Sequence, residues 1–193
     1  LFFASLARGI DDIATMYKYN IILANSDQND QKEIQVLNTL LAKQVDGIIY
    51  MGNKITDELR AEFSRSKTPV VLAGTIDPEQ QVGSVNIDYI GATEEGVANM
   101  IANGKKHIAF VSASLSNPIN GQYRLKGYKN ALVNANIPFD EALVFECEPT
   151  LQNGELLAPQ LLEAGVDAAY IAGDELAIGL LNGIINAGVS VPE

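Results

Sequence analysis

The chain has little of what catalysis and metal binding use most. Its 193 residues include one cysteine, Cys147, and one histidine, His107. A single thiol excludes a disulfide framework within the chain and any multi-cysteine metal site. Clustered His and Cys ligands of the kind zinc needs are likewise missing. Positive charge is scarce: 13 Lys and Arg stand against 24 Asp and Glu, a formal net charge of −11. The densest basic stretch is "NGKKH" at 103–107. Affinity for nucleic acid rests on clustered cations, so these residues alone should not hold DNA. No apolar run reaches the length that spans a bilayer, so no membrane contact is expected.

The motifs of common enzymes are missing as well. There is no G-x-x-x-x-G-K-[ST] phosphate loop, and no G-x-G-x-x-G follows the first apolar strand. A Ser or Cys nucleophile needs a base, usually His. His107 opens the run "HIAFVS", and a strand of that length spans roughly 17–20 Å. It is therefore placed at the strand start, away from the strand's carboxyl end. Carboxylates are numerous, yet no pair is marked out as acid and base by spacing. The chain reads as a binding module and not as an enzyme, with no cofactor.

What is present is a core. Apolar residues make up 47% of the chain, which excludes a disordered segment. Short β-rich runs recur at 19–25, 45–51, 69–74, 84–88, 107–112, 142–147 and 166–173. Helical patterns lie between most of them, at 4–17, 30–43, 55–64, 90–103, 121–135, 152–164 and 174–187. Strands alternating with helices predict an α/β fold with parallel sheets flanked by helices. Near-continuous apolar strands fit sheets covered on both faces. Cys147, in register with Leu143 and Phe145, reads as a small buried hydrophobe. One segment breaks the alternation: "TIDPEQQVG" at 75–83 is too polar and too Pro/Gly-marked for a helix. A crossover between two subdomains is therefore expected near Asp88, giving 1–88 and 89–193. Both ends read as internal to a longer chain. The chain opens inside "LFFASL" without an initiator Met, and closes at "NAGVSVPE", a loop approaching another strand.

The strand ends carry the functional signal. The runs finish in Ser26 and Asp27, Asn53, Thr75, Asp88, Ser112 and Asp174. In open parallel sheets, ligands sit outside the carboxyl ends of the strands. Hydroxyls, amides and carboxylates at successive ends would line one cleft. Each such residue also has a second reading, as the cap of the helix that follows.

The pieces "LLAKQVDGIIYMG", "TPVVLAG", "SVNIDY", "HIAFVS", "RLKGYKNAL" and "GDELAIGLLNGIINAGVSVPE", in this order and spacing, resemble the effector-binding domain of the lactose-repressor family of transcription regulators. The resemblance covers essentially the whole chain. It implies a periplasmic-binding-protein-like fold of two Rossmann-like subdomains, here incomplete, in a cytoplasmic homodimer. Operator DNA would be met only through a headpiece that these residues lack. It places Asp88, Arg124 in "QYRLKGY" and Asp174 in the effector cleft, with Ser26, Asp27, Asn53 and Thr75 on the first-subdomain side. The effector would be a sugar or sugar phosphate, and a guanidinium suits either through its rigid donor fork. Arg124 also has a plain reading as a surface Arg at a helix start.

The first stretch, "LARGIDDIATMYKYNIILANSDQND", resembles the branch of the family that controls carbon catabolite genes, and there the resemblance implies a protein corepressor, the serine-phosphorylated phosphocarrier of sugar transport. The first helix is its expected dock. At 100° per residue, Leu6, Ala7, Ile10, Ile13, Ala14 and Tyr17 form one face. Arg8, Asp12, Met16 and Tyr19 lie opposite, with Tyr19 at the limit of the helix; a Met and an aromatic among charges suits a partner surface. Tyr17 resembles a contact position too, but the wheel puts it on the core side. The rival reading is the sugar-binding protein of a transporter with the same fold, which only the segment upstream would separate.

Overall fold

The computed structural model describes residues 2–27 and 29–192. Helices and short strands alternate in the order α1 (Phe2–Met16), α2 (Asp30–Ala42), β1 (Ile48–Tyr50), α3 (Asp57–Arg65), β2 (Val70–Ala73), β3 (Ser84–Val85) and α4 (Tyr89–Ala102). Then follow β4 (Ile108–Ser112), α5 (Leu125–Asn134), β5 (Val144–Glu146), α6 (Leu151–Glu163), β6 (Ala168–Ile171) and α7 (Asp174–Asn186). A π-helical turn, Ile119–Arg124, leads into α5. The strands form two sheets of order β1-β2-β3 and β5-β4-β6. β2–β3, β4–β5 and β4–β6 are parallel pairs, as expected of βαβ writing.

Local chemistry sets the helix starts. Asn29, Thr56, Asp88 and Thr150 each accept a backbone N–H from the first turn of α2, α3, α4 and α6, the usual work of an N-cap. The segment 75–83 is indeed a loop, organised by Asp77. That carboxylate is buried and accepts the N–H groups of Glu79, Gln81 and Val82 at 3.1, 2.7 and 3.0 Å. A side chain that satisfies three backbone donors stands in for the ladder a helix would have supplied.

The chain divides into two compact units, one of residues 1–48 and 56–69, the other of 49–55 and 70–193. The sequence reading instead puts a single boundary at 88. Sheet membership changes between β3 and β4, whereas the compact units exchange chain earlier.

In the larger unit the core lies on both faces of β4. Ala109 and Val111 pack with Leu157, Ala158 and Leu161 of α6 and Leu176 and Leu180 of α7. Ile108 and Phe110 pack with Val97 of α4 and Tyr128, Ala131 and Leu132 of α5. This is the period-two alternation of a strand covered on both sides. The α6–α7 contact is close enough that a Cβ at Gly179 would run into the Leu151 carbonyl. Cys147 is half-buried against the first cluster, and burial pushes its thiol pKa up, with Glu148 adding to the effect.

The smaller unit is less covered. Leu37 of α2 and Leu59 and Phe63 of α3 are buried. Two expectations fail here. The run 19–25 forms no strand, and Ile21, Ile22 and Leu23 are exposed. A strand needs a neighbour to take its backbone groups, and among the described residues none does so. On α1, Leu6, Ala7, Ile10 and Ala14 are half-buried, but Ile13 is 54% exposed and leaves the expected stripe. Tyr17 is also displaced from the core side: the helix ends at Met16, and the ring stands 72% exposed.

Candidate functional site

Two of the predicted cleft residues belong to the start of α4: Asp88 caps the helix, and Arg124 reaches Tyr89, the residue after it. Asp88 leaves the β3 segment and caps the helix, its Oδ1 accepting the Gly91 N–H at 2.9 Å. The fit needs Gly91, where a Cβ would run into the Asp88 carboxylate. The next residue, Tyr89, is buried. The Arg124 guanidinium lies over its ring, 5.4 Å from the centroid, within cation–π range. The helix register explains the meeting. On α5, Gly127 faces the Ile90 carbonyl and Thr93 of α4, and Arg124 lies one turn earlier on that face. It therefore reaches the first residue of α4.

Arg124 is held on a second side. Its Nη1 donates to Asn120 Oδ1 at 3.0 Å. Asn120 is itself buried, and its Nδ2 lies 3.5 Å from the Ser114 carbonyl. Both residues belong to the π-helical turn, a feature often found at functional sites. Arg124 is thus a half-buried guanidinium with one donor occupied and one face covered. Its remaining N–H groups form a fork that suits paired oxygen acceptors, such as vicinal hydroxyls or a phosphate.

The other predicted residues are placed as follows. Thr75 is fully buried. Its hydroxyl donates to the Gly52 carbonyl at 2.7 Å and accepts the Gly52 N–H at 2.9 Å. The Thr75 carbonyl accepts Asn86 Nδ2 at 3.1 Å. The hydroxyl is engaged in both directions and shapes the loops after β1 and β2. Asn53 is exposed in the loop after β1. Asp174 is exposed in the first turn of α7, which no side chain caps. There its charge complements the helix dipole.

In the other unit, Ser26 and Asp27 form a local turn. The Ser26 carbonyl accepts the Asn29 N–H. Asp27 adopts a left-handed φ of 53° and accepts Asn25 Nδ2 at 2.8 Å, and it pairs with Lys32. On α1, Arg8 and Asp12 are exposed, as are Met16 at its end and Tyr17 and Tyr19 just beyond. His107 precedes β4, its ring Nδ1 3.3 Å from the Gly165 carbonyl, and takes no part in the site.

Sequence reasoning missed Tyr89 and Asn120. Asn120 was within reach, four residues before Arg124, the spacing that places two side chains together on a helical surface. Tyr89 was not, because its contact with Arg124 is made between α4 and α5. Among the described residues no cluster of His, Cys, Asp and Glu could hold a metal ion, and no helix is long and apolar enough to cross a membrane.

Comparison with known proteins agrees with this architecture. The family described as periplasmic binding proteins and sugar binding domain of LacI family matches residues 1–193. Catabolite control protein A of Streptococcus mutans is 56% identical over 192 residues, covering 100% of this chain and 57% of the relative. The chain thus spans little more than half the length of that relative. The crystal structure of transcription regulator CcpA of Lactococcus lactis matches with a TM-score of 0.92 and 48% identity, over 98% of this chain and 70% of that one. A complex of the transcriptional regulator CelR with cellobiose matches with a TM-score of 0.88 and 27% identity, over 99% of this chain and 59% of that one.

Proposed function

The chain belongs to the family of periplasmic binding proteins and LacI-type sugar binding domains, and from that premise we propose that it is the effector-binding and dimerisation part of a cytoplasmic transcription regulator of carbon catabolite genes. The names of its relatives favour a regulator over a transport protein. Operator DNA would be bound by a headpiece outside these residues, since a net charge of −11 gives this part no electrostatic grip on a polyanion.

The observation that carries the reading is Arg124, half-buried and held on two sides by Asn120 and Tyr89. A fixed guanidinium offers a fork of donors to the oxygens of a polyol or a phosphate. The effector is accordingly a sugar or sugar phosphate, with Asn53 and Asp174 as further polar contacts. Ser26 and Asp27 lie in the other compact unit and Thr75 is fully buried, and they carry no part of the proposal. On α1, the exposed row of Arg8, Asp12 and Met16, with Tyr17 and Tyr19 just past its end, supports docking of the serine-phosphorylated phosphocarrier.

Calorimetric titration of the native-length protein with a hexose and its 6-phosphate tests the site. Losing a charge-assisted hydrogen bond costs about 1.5–3 kcal/mol, so Arg124→Ala should weaken binding roughly 10- to 150-fold. Unchanged affinity would return Arg124 to an ordinary surface role.

A further inference from the structure

We propose that Tyr89 and Asn120 are positioning residues that preset the Arg124 guanidinium and thereby set the preference between phosphorylated and neutral ligands; the inference rests on the reading of Arg124 as a ligand contact. Neither residue needs to touch the ligand. Tyr89 is 9% exposed and Asn120 7%, so both are largely closed to solvent, while Arg124 is only half-buried.

An arginine side chain with free rotamers must be ordered when a ligand binds, and that ordering subtracts from affinity. Here the ordering is already done. The Arg124 Cζ lies over the Tyr89 ring, 5.4 Å from its centroid, and Asn120 Oδ1 takes one Nη1–H. The amide is oriented in turn by its Nδ2, which faces the Ser114 carbonyl and leaves the oxygen for Arg124. The turn is also braced from outside, since a Cβ at Gly121 would meet the Leu115 backbone. Only the remaining edge of the fork is open.

The second half of the inference concerns charge. Both supports are neutral, so the guanidinium keeps its full formal charge toward the ligand. A carboxylate in place of the Asn120 amide would keep the geometry of the acceptor but neutralise the cation. Phosphate, which needs the charge, would suffer more than a neutral hexose, which needs only the donors.

The test uses native-length protein titrated with a hexose, its 6-phosphate and inorganic phosphate, alongside thermal melts. Tyr89→Leu removes the ring platform and should weaken the binding probe roughly 2- to 30-fold. Tyr89→Phe, which keeps the ring, should stay within about 2-fold of the parent. Asn120→Asp should shift preference from the 6-phosphate toward the hexose by roughly tenfold. NMR adds a measurement on the unmutated protein: the Arg124 Nε–H resonance should carry a ring-current shift from the Tyr89 ring beneath it, before any ligand is added. If Arg124→Ala changes nothing, or the parent binds none of the three probes, the reading of the site falls and this inference with it. If Arg124→Ala weakens binding while Asn120→Asp leaves the preference untouched and the ring-current shift is absent, the site stands and the positioning role is overturned.

Discussion

β2 and β4 are the middle strands of their sheets and are written alike, "VVLA" against "IAFVS", yet they end up in different surroundings. Every residue of β4 is buried. In β2 only Leu72 is, while Val71 is 42% exposed. The register pairs Ala73 with Val85, so Val71 and Val85 share a face, and Val85 is 69% exposed. An apolar strand thus states that both faces tolerate burial. Whether both are buried depends on which helices arrive. β4 receives α6–α7 on one face and α4–α5 on the other.

The largest expected effect follows from that asymmetry. Phe110→Ala opens a cavity in a core made by three elements and should cost about 3–5 kcal/mol. The ring is in contact range of Tyr128 and Tyr170, with centroids 5.5 and 5.9 Å away. Leu72→Ala, at the one buried position of β2, should cost about 2–5 kcal/mol. Val71→Ala, its exposed neighbour, should stay below about 1 kcal/mol. Urea unfolding of the three variants measures this. Equal losses at Phe110 and Val71 would erase the contrast between the strands.

A smaller effect sharpens the comparison by pH. Tyr128 is fully buried and donates to the Ile108 carbonyl at 2.8 Å. Burial, with the Asp140 carboxylate adding to it, raises its pKa to about 12. The folded state therefore keeps the proton that the unfolded chain loses near its ordinary value of 10.0. The stabilisation is complete below that value and is lost as pH rises from there through about 12. Tyr128→Phe should cost about 1–2 kcal/mol at neutral pH and flatten the decline of stability across that window. Melts at stepped alkaline pH would expose the alternative, an identical decline in the variant.

What was legible in the sequence tracks how local each cause is. Helix starts were readable because Asn29, Thr56, Asp88 and Thr150 act on backbone groups within a few residues. The loop at 75–83 was readable because Asp77 closes it within five residues. The run 19–25 misled because a β-rich apolar pattern describes side chains, whereas a strand is made by a partner that the pattern does not contain. The site follows the same rule. Asp88 and Arg124 are conspicuous by type and place, but the Tyr89 ring that Arg124 meets comes from a different element of the fold. Thr75 shows the opposite limit: its place at a strand end is plain in the sequence, but its bonds to Gly52 come from another loop.

The smallest effect on stability belongs to α1, and it separates an interface from a defect. Met16 is 75% exposed and Asp12 is exposed. An apolar side chain in that setting contributes little to folding, because truncation uncovers almost no new surface and leaves no cavity. Asp12→Ala and Met16→Ala should therefore shift stability by no more than about 0.5 kcal/mol each. Binding behaves differently, since a flexible Met that packs against a partner loses its whole contact on truncation. Titrating each native-length variant with the serine-phosphorylated phosphocarrier should show weakened binding with unchanged melts. A loss of stability near that of Leu72→Ala would mean that α1 is buried in the native protein and is no docking face. Parent-like binding by both variants would move the carrier to another surface.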